Sequence, residues 1–332
     1  MTALTVVTRC FALREAFVIS RGARTHVETV EVTLTANGQT GRGECVPYKR
    51  YGETVEGVMA AIEGQATALA GGLDREGLQT VLPAGAARNA LDLAFWDLEA
   101  KRAGVRVWDL PAYAALGGTV PGPVASAYTL SIGTPEEMRD AAAKNAHRPI
   151  LKVKLAGEDL DIERMQAVRA GAPEARLVVD ANEGWSAEGY GAAADAMAAV
   201  GVEFIEQPIH ADHDAALTEL PRPVPLVADE ACHDRATLND LAGKYDVVNI
   251  KLDKTGGLTE ALALKAAARA QGFGIMIGCM MSSSLGVAPA VLLGDGAALV
   301  DLDPPMLLGE DRDPPLGMEG ASVLPPDREL WG

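Results

Sequence analysis

From residue 123 onwards, short apolar runs alternate with alanine-rich segments. The apolar runs are rich in β-branched residues, which is typical of buried parallel strands, and the alanine-rich segments predict helices. Eight such runs occur: PVASAYTL, ILKVKL, RLVVDAN, VEFIEQP, VPLVADE, DVVNIKL, FGIMIGCM and AALVDLD. Regular alternation of strand and helix indicates parallel βα units, and eight units favour a TIM-type barrel. A doubly wound open sheet is the alternative, but no GxGxxG turn follows the first strand.

The first 120 residues follow a different pattern, which indicates a mixed α+β unit. Alternating residues on both sides of the turn Ala36-Asn37-Gly38 predict a β-hairpin over residues 26–45. Apolar residues at helical spacing predict an amphipathic helix from Ala84 to Gly104. We therefore expect an α+β domain over residues 1–120, a barrel over 121–305, and a C-terminal segment, 306–332, that packs back on the first domain.

Composition narrows the class of protein. The chain has 332 residues, of which 48% are hydrophobic and 23% charged, so a folded globular protein is expected. Its 29 basic and 46 acidic side chains give a net charge of −17, which argues against nucleic-acid or anionic-membrane partners. No secretory signal and no apolar run of about 18 residues is evident, so a cytoplasmic protein is expected. The four cysteines lie far apart and predict free thiols: Cys10, Cys45, Cys232 and Cys279.

Charged residues stand at the carboxyl ends of the predicted strands, where barrel enzymes keep their sites. The strand-end residues are Lys154, Asp180, Glu206, Asp229, Lys251, Gly278 and Asp301. Three carboxylates on three neighbouring strands, with no histidine or cysteine among them, form a hard oxygen site that suits Mg²⁺, one ion per subunit. The alternative for any single acid is a salt bridge at the rim of the barrel.

The lysines flank this predicted metal site. Lys152 and Lys154 share one face of the strand ILKVKL, and Lys251 ends a strand on the far side of the three acids. Taken alone, Lys152 and Lys154 are typical of a solvated strand edge. Together with the metal, Lys154 and Lys251 could remove and return a proton on opposite faces of a carbon α to a carboxylate, through an enediolate. We expect Lys152 to depress the pKa of Lys154 and so keep that amine neutral enough to act as a base.

These motifs resemble those of the enolase superfamily, in its muconate-lactonizing subgroup. The motifs are Lys152-Val153-Lys154, Asp180-Ala181-Asn182, Glu206-Gln207-Pro208, Asp229-Glu230 and Lys251. The resemblance covers nearly the whole chain and implies an α/β fold: a modified TIM barrel, (β/α)7β, with an N-terminal capping domain. It also implies that Asp180, Glu206 and Asp229 bind Mg²⁺ and that Lys154 and Lys251 are the acid/base catalysts. Asn182, Glu230 and Asn249 are expected beside the metal ligands without binding the metal.

The end of the eighth strand narrows the choice of reaction within that subgroup. Asp301 and Asp303 share a face and would bind a cation such as a free α-ammonium group, which is similar to the Asp-x-Asp of dipeptide epimerases. The alternative is a turn in which an Asp bonds its own backbone. On the loop VISRGARTHVE, Arg24 is favoured over Arg21 to bind the carboxylate of a glutamate side chain, although a surface arginine is the alternative. Weaker pocket candidates are Tyr48, Tyr51 and Ser282.

We therefore expect a Mg²⁺-dependent epimerase that inverts the C-terminal residue of a small dipeptide, L-Ala-D/L-Glu. For this activity the resemblance implies a role in recycling peptidoglycan peptides. The alternatives are an N-acylamino acid racemase, an o-succinylbenzoate synthase or a cycloisomerase of the same subgroup, and more remotely a non-catalytic metal-binding protein. A zinc site at His210 and His213 is not favoured, because their spacing is unlike that of a zinc pair. The breadth of dipeptide specificity and a homo-oligomeric state stay open.

Overall fold

A three-stranded antiparallel sheet opens the chain and forms one layer of the capping domain. Its strands are β1 (Ala3–Ile19), β2 (Gly22–Ala36) and β3 (Gln39–Cys45) in the computed structural model, which describes all 332 residues. Asn37 and Gly38 have φ values of 53° and 77°, and this left-handed pair joins β2 to β3 in two residues. The predicted hairpin is therefore confirmed.

Helices pack on this sheet and form the second layer of the capping domain. They are α1 (Val55–Glu63), α2 (Ala66–Ala70), α3 (Arg75–Val81) and α4 (Ala86–Ala103). The short helix α5 (Pro111–Ala115) follows against the barrel, where Tyr113 Oη donates to Leu292 O. The predicted helix is confirmed as α4, which ends at Gly104 with φ 72°. Strand β3 approaches α4 closely, because a Cβ atom at Gly41 or Gly43 would lie 2.1 Å from a carbonyl oxygen of α4. The glycines of TGRGEC are thus required by packing.

Eight parallel strands follow and form the predicted barrel. They are β5 (Tyr128–Leu130), β6 (Ile150–Lys154), β7 (Arg176–Asp180), β8 (Val202–Glu206), β9 (Leu226–Ala228), β10 (Val247–Ile250), β11 (Gly274–Ile277) and β12 (Leu299–Val300), and they neighbour one another in sequence order. A backbone hydrogen bond of 2.8 Å from Ala127 N to Val300 O joins the start of β5 to β12 and closes the sheet. Eight runs of sequence thus become eight neighbouring strands.

The first run, PVASAYTL, differs from the prediction because it contributes to two sheets. Its beginning is β4 (Val124–Ala125), which pairs antiparallel with β14 (Ser322–Val323), itself paired with β13 (Met318–Glu319). The backbone changes partner within one residue, since Ser126 N donates to Ala321 O and Ala127 N donates to Val300 O. Only Tyr128–Leu130 remains for the barrel.

Helices connect the strands on the outside of the barrel. They are α6 (Pro135–Lys144), α7 (Asp161–Gly171), α8 (Ala187–Ala199), α9 (Leu238–Leu241), α10 (Leu252–Thr255), α11 (Leu258–Ala270) and α12 (Ser284–Val291), and α13 (Pro304–Leu307) follows the last strand. Inside the barrel an apolar cluster includes Ile150, Val178 and Val247, close to the beginnings of their strands. This packing fills the interior, so the polar strand ends form the floor of a cavity at the opposite end. None of the helices combines the length and apolar character needed to cross a membrane.

The C-terminal segment lies against the capping domain. Trp331 is fully buried and its indole N–H donates to Leu93 O at 3.2 Å. The last residue, Gly332, donates its N–H to Asp97 Oδ1 at 2.8 Å, and Arg42 Nη2 donates to Leu330 O at 2.7 Å. These contacts attach the end of the chain to α4 and β3.

Candidate active site

Pairing between β6, β7 and β8 sets three charged strand-end residues side by side. Lys154 is the register partner of Asp180, and Asp180 is the partner of Glu206. Asp229 and Lys251 are the first residues after β9 and β10. All five are buried, and Lys154, Asp229 and Lys251 line one cavity between the barrel and the capping domain. The regular spacing in the sequence therefore does deliver these side chains to a single rim.

Lys152 is the most enclosed of the lysines that line the cavity, with 1% of its surface exposed. Its Nζ lies 2.8 Å from Asp301 Oδ2, 2.7 Å from Glu206 Oε2 and 3.1 Å from Asp180 Oδ2. Burial lowers the pKa of Lys152, but these three carboxylates outweigh it and hold the pKa well above the usual value. The charge of Lys152 is thus balanced by acids at the ends of β7, β8 and β12.

Lys154 and Lys251 lie across the cavity from each other. Their strands, β6 and β10, are four places apart in a closed sheet of eight, which sets them on opposite sides of the barrel. Lys154 Nζ is 2.5 Å from Asp180 Oδ2, and Lys251 Nζ is 2.6 Å from Asp229 Oδ2. Burial lowers the pKa of Lys251, but Asp229 and Glu206 outweigh it and raise that pKa. Each lysine thus forms an ion pair with a neighbouring carboxylate.

The three acids predicted to bind metal each have a fixed orientation. Asp180 Oδ1 accepts from Asn182 N at 2.9 Å, and Glu206 Oε1 accepts from Asn249 Nδ2 at 2.7 Å. Although burial opposes it, the lysines lower the pKa of both Asp180 and Asp229. Burial, with Asp180, raises the pKa of Glu206, whose Oε2 receives no aligned hydrogen bond.

No three acidic side chains converge on a common point where a metal ion could bind. Lysine ammonium groups instead lie against the oxygens of Asp180, Glu206 and Asp229. A further lysine contacts the second carboxylate oxygen of Asp229. Lys254 Nζ lies 2.6 Å from Asp229 Oδ1 and is itself fully buried. Reasoning from the sequence missed Lys254, although its spacing of three residues from Lys251 is a usable signal, since that spacing places both on one side of α10.

Asp301 and Asp303 both reach the cavity, as predicted from the spacing. Asp301 uses Oδ2 for Lys152, and its Oδ1 is buried without a hydrogen-bond partner. Asp303 Oδ2 accepts from Thr129 N at 2.7 Å, so this carboxylate also bridges the first and last strands. Burial and the neighbouring Asp301 raise the pKa of Asp303 to about 7. The pair thus retains one buried carboxylate oxygen without a hydrogen-bond partner, Asp301 Oδ1.

Two arginines of the capping domain reach the cavity from the β1–β2 turn and the start of β2. Arg21 is held by protein partners, because its Nη2 lies 2.8 Å from Glu230 Oε1 and 3.0 Å from Tyr48 Oη, and its Nη1 donates to Asn182 O at 3.1 Å. Arg24 has no ion pair, and its guanidinium carbon lies 5.6 Å from the centre of the Tyr48 ring. Arg24 is therefore the arginine that is free to bind an anionic ligand.

The remaining predicted residues divide between the cavity and its surroundings. Tyr51 lines the cavity and its hydroxyl is buried without a partner. Glu230 also lines it; burial, with Asp229 and Asp180, raises its pKa to about 7, against the effect of Arg21. Ser282 is buried beside Gly286 and does not line the cavity. The loop after β11 contributes Cys279, Met280 and Met281 instead, which an alternation pattern could not reveal because the loop is not a strand.

Comparison with known proteins matches both parts of the chain to family models. Residues 1–111 match the N-terminal domain of mandelate racemase and muconate lactonizing enzyme, and residues 135–324 match the enolase C-terminal domain-like model. An L-Ala-D/L-Glu epimerase of Escherichia coli strain K12 is 48% identical over 318 residues, which cover 95% of this chain and 97% of that protein.

Two further similarities bear on the reaction and on the fold. An N-acetyl-D-glutamate racemase of a Pseudoalteromonas species is 41% identical over 88% of this chain and 91% of that protein. A crystal structure from Agrobacterium tumefaciens superimposes with a TM-score of 0.96, at 49% identity and with all of both chains covered. That protein is described as an enolase family member with homology to dipeptide epimerases, and it contains sodium and L-Ala-L-Glu.

Proposed function

The chain belongs to the mandelate racemase and muconate lactonizing enzyme family of the enolase superfamily, and from this premise we propose that it is a Mg²⁺-dependent epimerase of L-Ala-D/L-Glu. The observation that carries the proposal is the position of Lys154 and Lys251 across one cavity, each ion-paired to a buried acid. Inversion at the α-carbon of the C-terminal residue needs a proton acceptor on one face and a proton donor on the other. Recycling of peptidoglycan peptides is the role we propose for this activity.

Asp180, Glu206 and Asp229 would hold the Mg²⁺ ion. The residues fit such an ion, because all three are buried carboxylates without a sulfur or imidazole ligand, and Glu206 Oε2 lacks an aligned donor. When bound there, Mg²⁺ stabilises the negative charge that develops on the substrate carboxylate as the α-proton leaves. Of the two lysines, the one that acts as the base would have to be neutral when the substrate is bound.

The two lysines then exchange a proton with the substrate. A neutral amine, Lys154 or Lys251, accepts the α-proton and becomes an ammonium while the α-carbon–hydrogen bond breaks. The ammonium across the cavity donates a proton to the opposite face, so a new carbon–hydrogen bond forms with inverted configuration. The number of protons is unchanged, and the two lysines have exchanged protonation states. Lys152 stays charged and supports three acids of the site.

Three cavity residues support dipeptide recognition. The unpartnered oxygen of Asp301, with Asp303 beside it, suits the ammonium group of an N-terminal alanine. The unpaired guanidinium of Arg24 suits the side-chain carboxylate of glutamate. The ammonium group and the side-chain carboxylate of the substrate would thus each have a partner of opposite charge in the cavity, and the α-carbon of the C-terminal residue would lie between the lysines.

Racemisation of an N-acylated glutamate is the second candidate, and the 41% identical relative favours it. Such a substrate keeps the α-carboxylate and the side-chain carboxylate but brings no ammonium group. Asp301 Oδ1 would then stay buried without a partner, which costs about 1–3 kcal/mol. This cost favours the dipeptide.

Solvent exchange tests the proposal. The purified protein is incubated in D₂O with a library of dipeptides, with Mg²⁺ or with EDTA, and the products are read by mass spectrometry. We expect one deuterium at the C-terminal α-position of Ala-Glu, together with the epimer, in the Mg²⁺ samples only. Absence of exchange with every dipeptide, or equal exchange in EDTA, would show that the proposal is wrong.

A further inference from the structure

Gln207 follows Glu206 at the end of β8 and has an unusual backbone conformation. Its φ of 37° lies in the left-handed region, which residues other than glycine seldom adopt. Its side chain is completely buried, and no part of it lines the cavity. A strained backbone and a buried amide next to a charged site persist only where the surrounding contacts determine them. The contacts of Gln207 therefore indicate what the residue does.

The side-chain oxygen of Gln207 holds the backbone at Asp229. Gln207 Oε1 accepts from Asp229 N at 2.9 Å and from Ala231 N at 3.1 Å. Strand β9 ends at Ala228, so the N–H of Asp229 lies beyond the pairing with β10. The amide oxygen of Gln207 takes the place of a strand partner for the N–H of Asp229. The hydrogen-bonded backbone thus extends one residue beyond β9, to Asp229, which carries the carboxylate.

The backbone of Gln207 joins the same region to the neighbouring strand ends. Gln207 N donates to Val227 O at 2.9 Å, and Gln207 O accepts from Glu183 N at 2.8 Å. The first of these bonds leads to β9 and the second to the loop after β7. One residue thus connects the ends of the three strands that supply Asp180, Glu206 and Asp229.

The other end of the amide fixes its orientation. Gln207 Nε2 donates to Ile209 O at 3.0 Å and to Tyr245 Oη at 2.7 Å. The Tyr245 hydroxyl donates its own proton to Asp214 Oδ2 at 3.0 Å, so the tyrosine oxygen can only accept from Gln207. An amide turned the other way would direct its NH₂ group at the N–H groups of Asp229 and Ala231. The oxygen is therefore held toward Asp229.

We propose that Gln207 is a positioning residue for metal binding, which acts through the backbone of Asp229 and the joined ends of β7, β8 and β9. Lys251 and Lys254 attract Asp229 from two sides, so its carboxylate keeps one direction only if the backbone beneath it is fixed. Gln207 touches neither the substrate nor the metal ligand oxygens. The inference rests on the proposed Mg²⁺ site.

Magnesium titration of the substrate-free enzyme by calorimetry tests this role, with unfolding temperatures measured in EDTA. Gln207→Met keeps the length of the side chain and removes both acceptor and donor, and we expect Mg²⁺ affinity to fall about 10- to 100-fold. Gln207→Glu keeps an acceptor for Asp229 N and should lose less affinity than Gln207→Met. Tyr245→Phe is the matched control, since it removes one partner of Nε2 but leaves Oε1 in place, and its affinity should stay within about threefold of wild type.

The outcomes separate this inference from the proposed function. If the wild type itself binds no Mg²⁺, the proposed metal site is wrong. If the wild type binds and Gln207→Met binds within twofold of it, Gln207 has no positioning role. If Gln207→Met does not fold, Gln207→Asn decides, because its shorter side chain withdraws the oxygen from Asp229 N while asparagine tolerates the left-handed backbone. An affinity below that of Tyr245→Phe supports the role, and an affinity equal to that of the control overturns it. A lower unfolding temperature with unchanged Mg²⁺ affinity would show a purely structural residue.

Discussion

Arg21 Nη2 lies 2.8 Å from Glu230 Oε1, and this ion pair joins the turn between β1 and β2 to the barrel residue directly after Asp229. The same guanidinium donates to Asn182 O, next to the end of β7. Arg21 therefore ties the capping domain to two strand ends of the site. Arg24, three residues along, has no such partner and faces the cavity. We therefore propose separate roles for these two arginines, Arg21 as an anchor and Arg24 as a ligand-binding group.

This division predicts different substrate dependence for two matched variants. Arg24→Met should raise KM for Ala-Glu about 10- to 100-fold, because a charge-assisted hydrogen bond contributes about 1.5–3 kcal/mol. Turnover of a dipeptide with a neutral C-terminal side chain should change little. Arg21→Met should lower kcat/KM for acidic and neutral dipeptides alike, because the turn loses its anchor. Steady-state kinetics with both classes of dipeptide measure the difference.

The reverse pattern would contradict this assignment. If Arg21→Met impairs only acidic substrates while Arg24→Met impairs all of them, the two roles are exchanged. Arg9→Met serves as a control, since Arg9 is a half-exposed arginine of β1 paired with Glu31, outside the cavity.

The opposed lysines predict stereospecific loss of function. Replacing Lys154 or Lys251 by alanine should lower epimerisation by at least about 10²- to 10⁴-fold, the usual contribution of a positioned acid or base. Each variant should still exchange the α-proton of the one stereoisomer whose base remains. Proton NMR in D₂O measures the exchange of the α-proton, in separate reactions that start from L-Ala-L-Glu and from L-Ala-D-Glu. Full activity in both variants, or identical residual exchange from both stereoisomers, would argue against two bases.

Much of the fold and part of the site follow from local sequence pattern. Eight apolar runs encode eight strands, and the residue that ends each run reaches the rim because side-chain direction alternates along a strand. Lys154, Asp180 and Glu206 could thus be placed without any knowledge of distant contacts. The split of the first run could not, since it depends on pairing between β4 and β14, nearly 200 residues later.

The sequence alone could not predict residue roles that depend on contacts between positions far apart along the chain. Arg21 pairs with Glu230 at a separation of 209 residues, so nothing local distinguishes it from Arg24. The raised pKa of Lys152 depends on Asp301, which lies 149 residues away along the chain. The local motif shows only the neighbouring lysine, Lys154, and not this acid. Ser282 was predicted to line the cavity only from its place in the sequence. In the structure it lies in the loop after β11 and does not line the cavity.

Recognition of the substrate ammonium predicts a pH-dependent KM. The pKa of Asp303, raised to about 7 by burial and Asp301, means that lowering the pH through 7 protonates this group and removes its negative charge. KM for Ala-Glu should therefore rise as the pH falls below about 7. In Asp303→Asn, KM should be about 10- to 100-fold higher at pH 8 and lose this dependence. Asn still offers an oxygen to Thr129 N, so the fold is kept.

N-acetyl-glutamate provides the control for that prediction. It carries no ammonium group, so any turnover of it should be insensitive to Asp303→Asn. Equal loss for the dipeptide and the N-acyl substrate would mean that Asp303 supports the barrel rather than the ammonium group.

The buried carboxyl group of Asp253, which takes no part in the proposed reaction, should make the stability of the fold depend on pH. Burial raises the pKa of Asp253 to about 7, against hydrogen bonds from Val46 N at 2.9 Å and Asn89 Nδ2 at 2.9 Å, which both reach Oδ1. The folded state therefore holds a proton that the unfolded chain releases near pH 4. The contribution of this group to the free energy of unfolding is full below pH 4 and is lost as the pH rises to about 7. The loss amounts to at most about 4 kcal/mol.

The variant Asp253→Asn removes this ionisation and keeps the acceptor at Oδ1. Relative to wild type, its free energy of unfolding in urea should increase from pH 4 to pH 7 and then stay level, because both states of the wild type are charged above that range. Asp246→Asn, a change at a partly exposed acid in the loop before β10, is the control and should show no such trend. A constant difference between Asp253→Asn and wild type across this range would mean that Asp253 is already ionised in the folded protein at pH 4. The hydrogen bonds from Val46 and Asn89 would then outweigh the cost of burial.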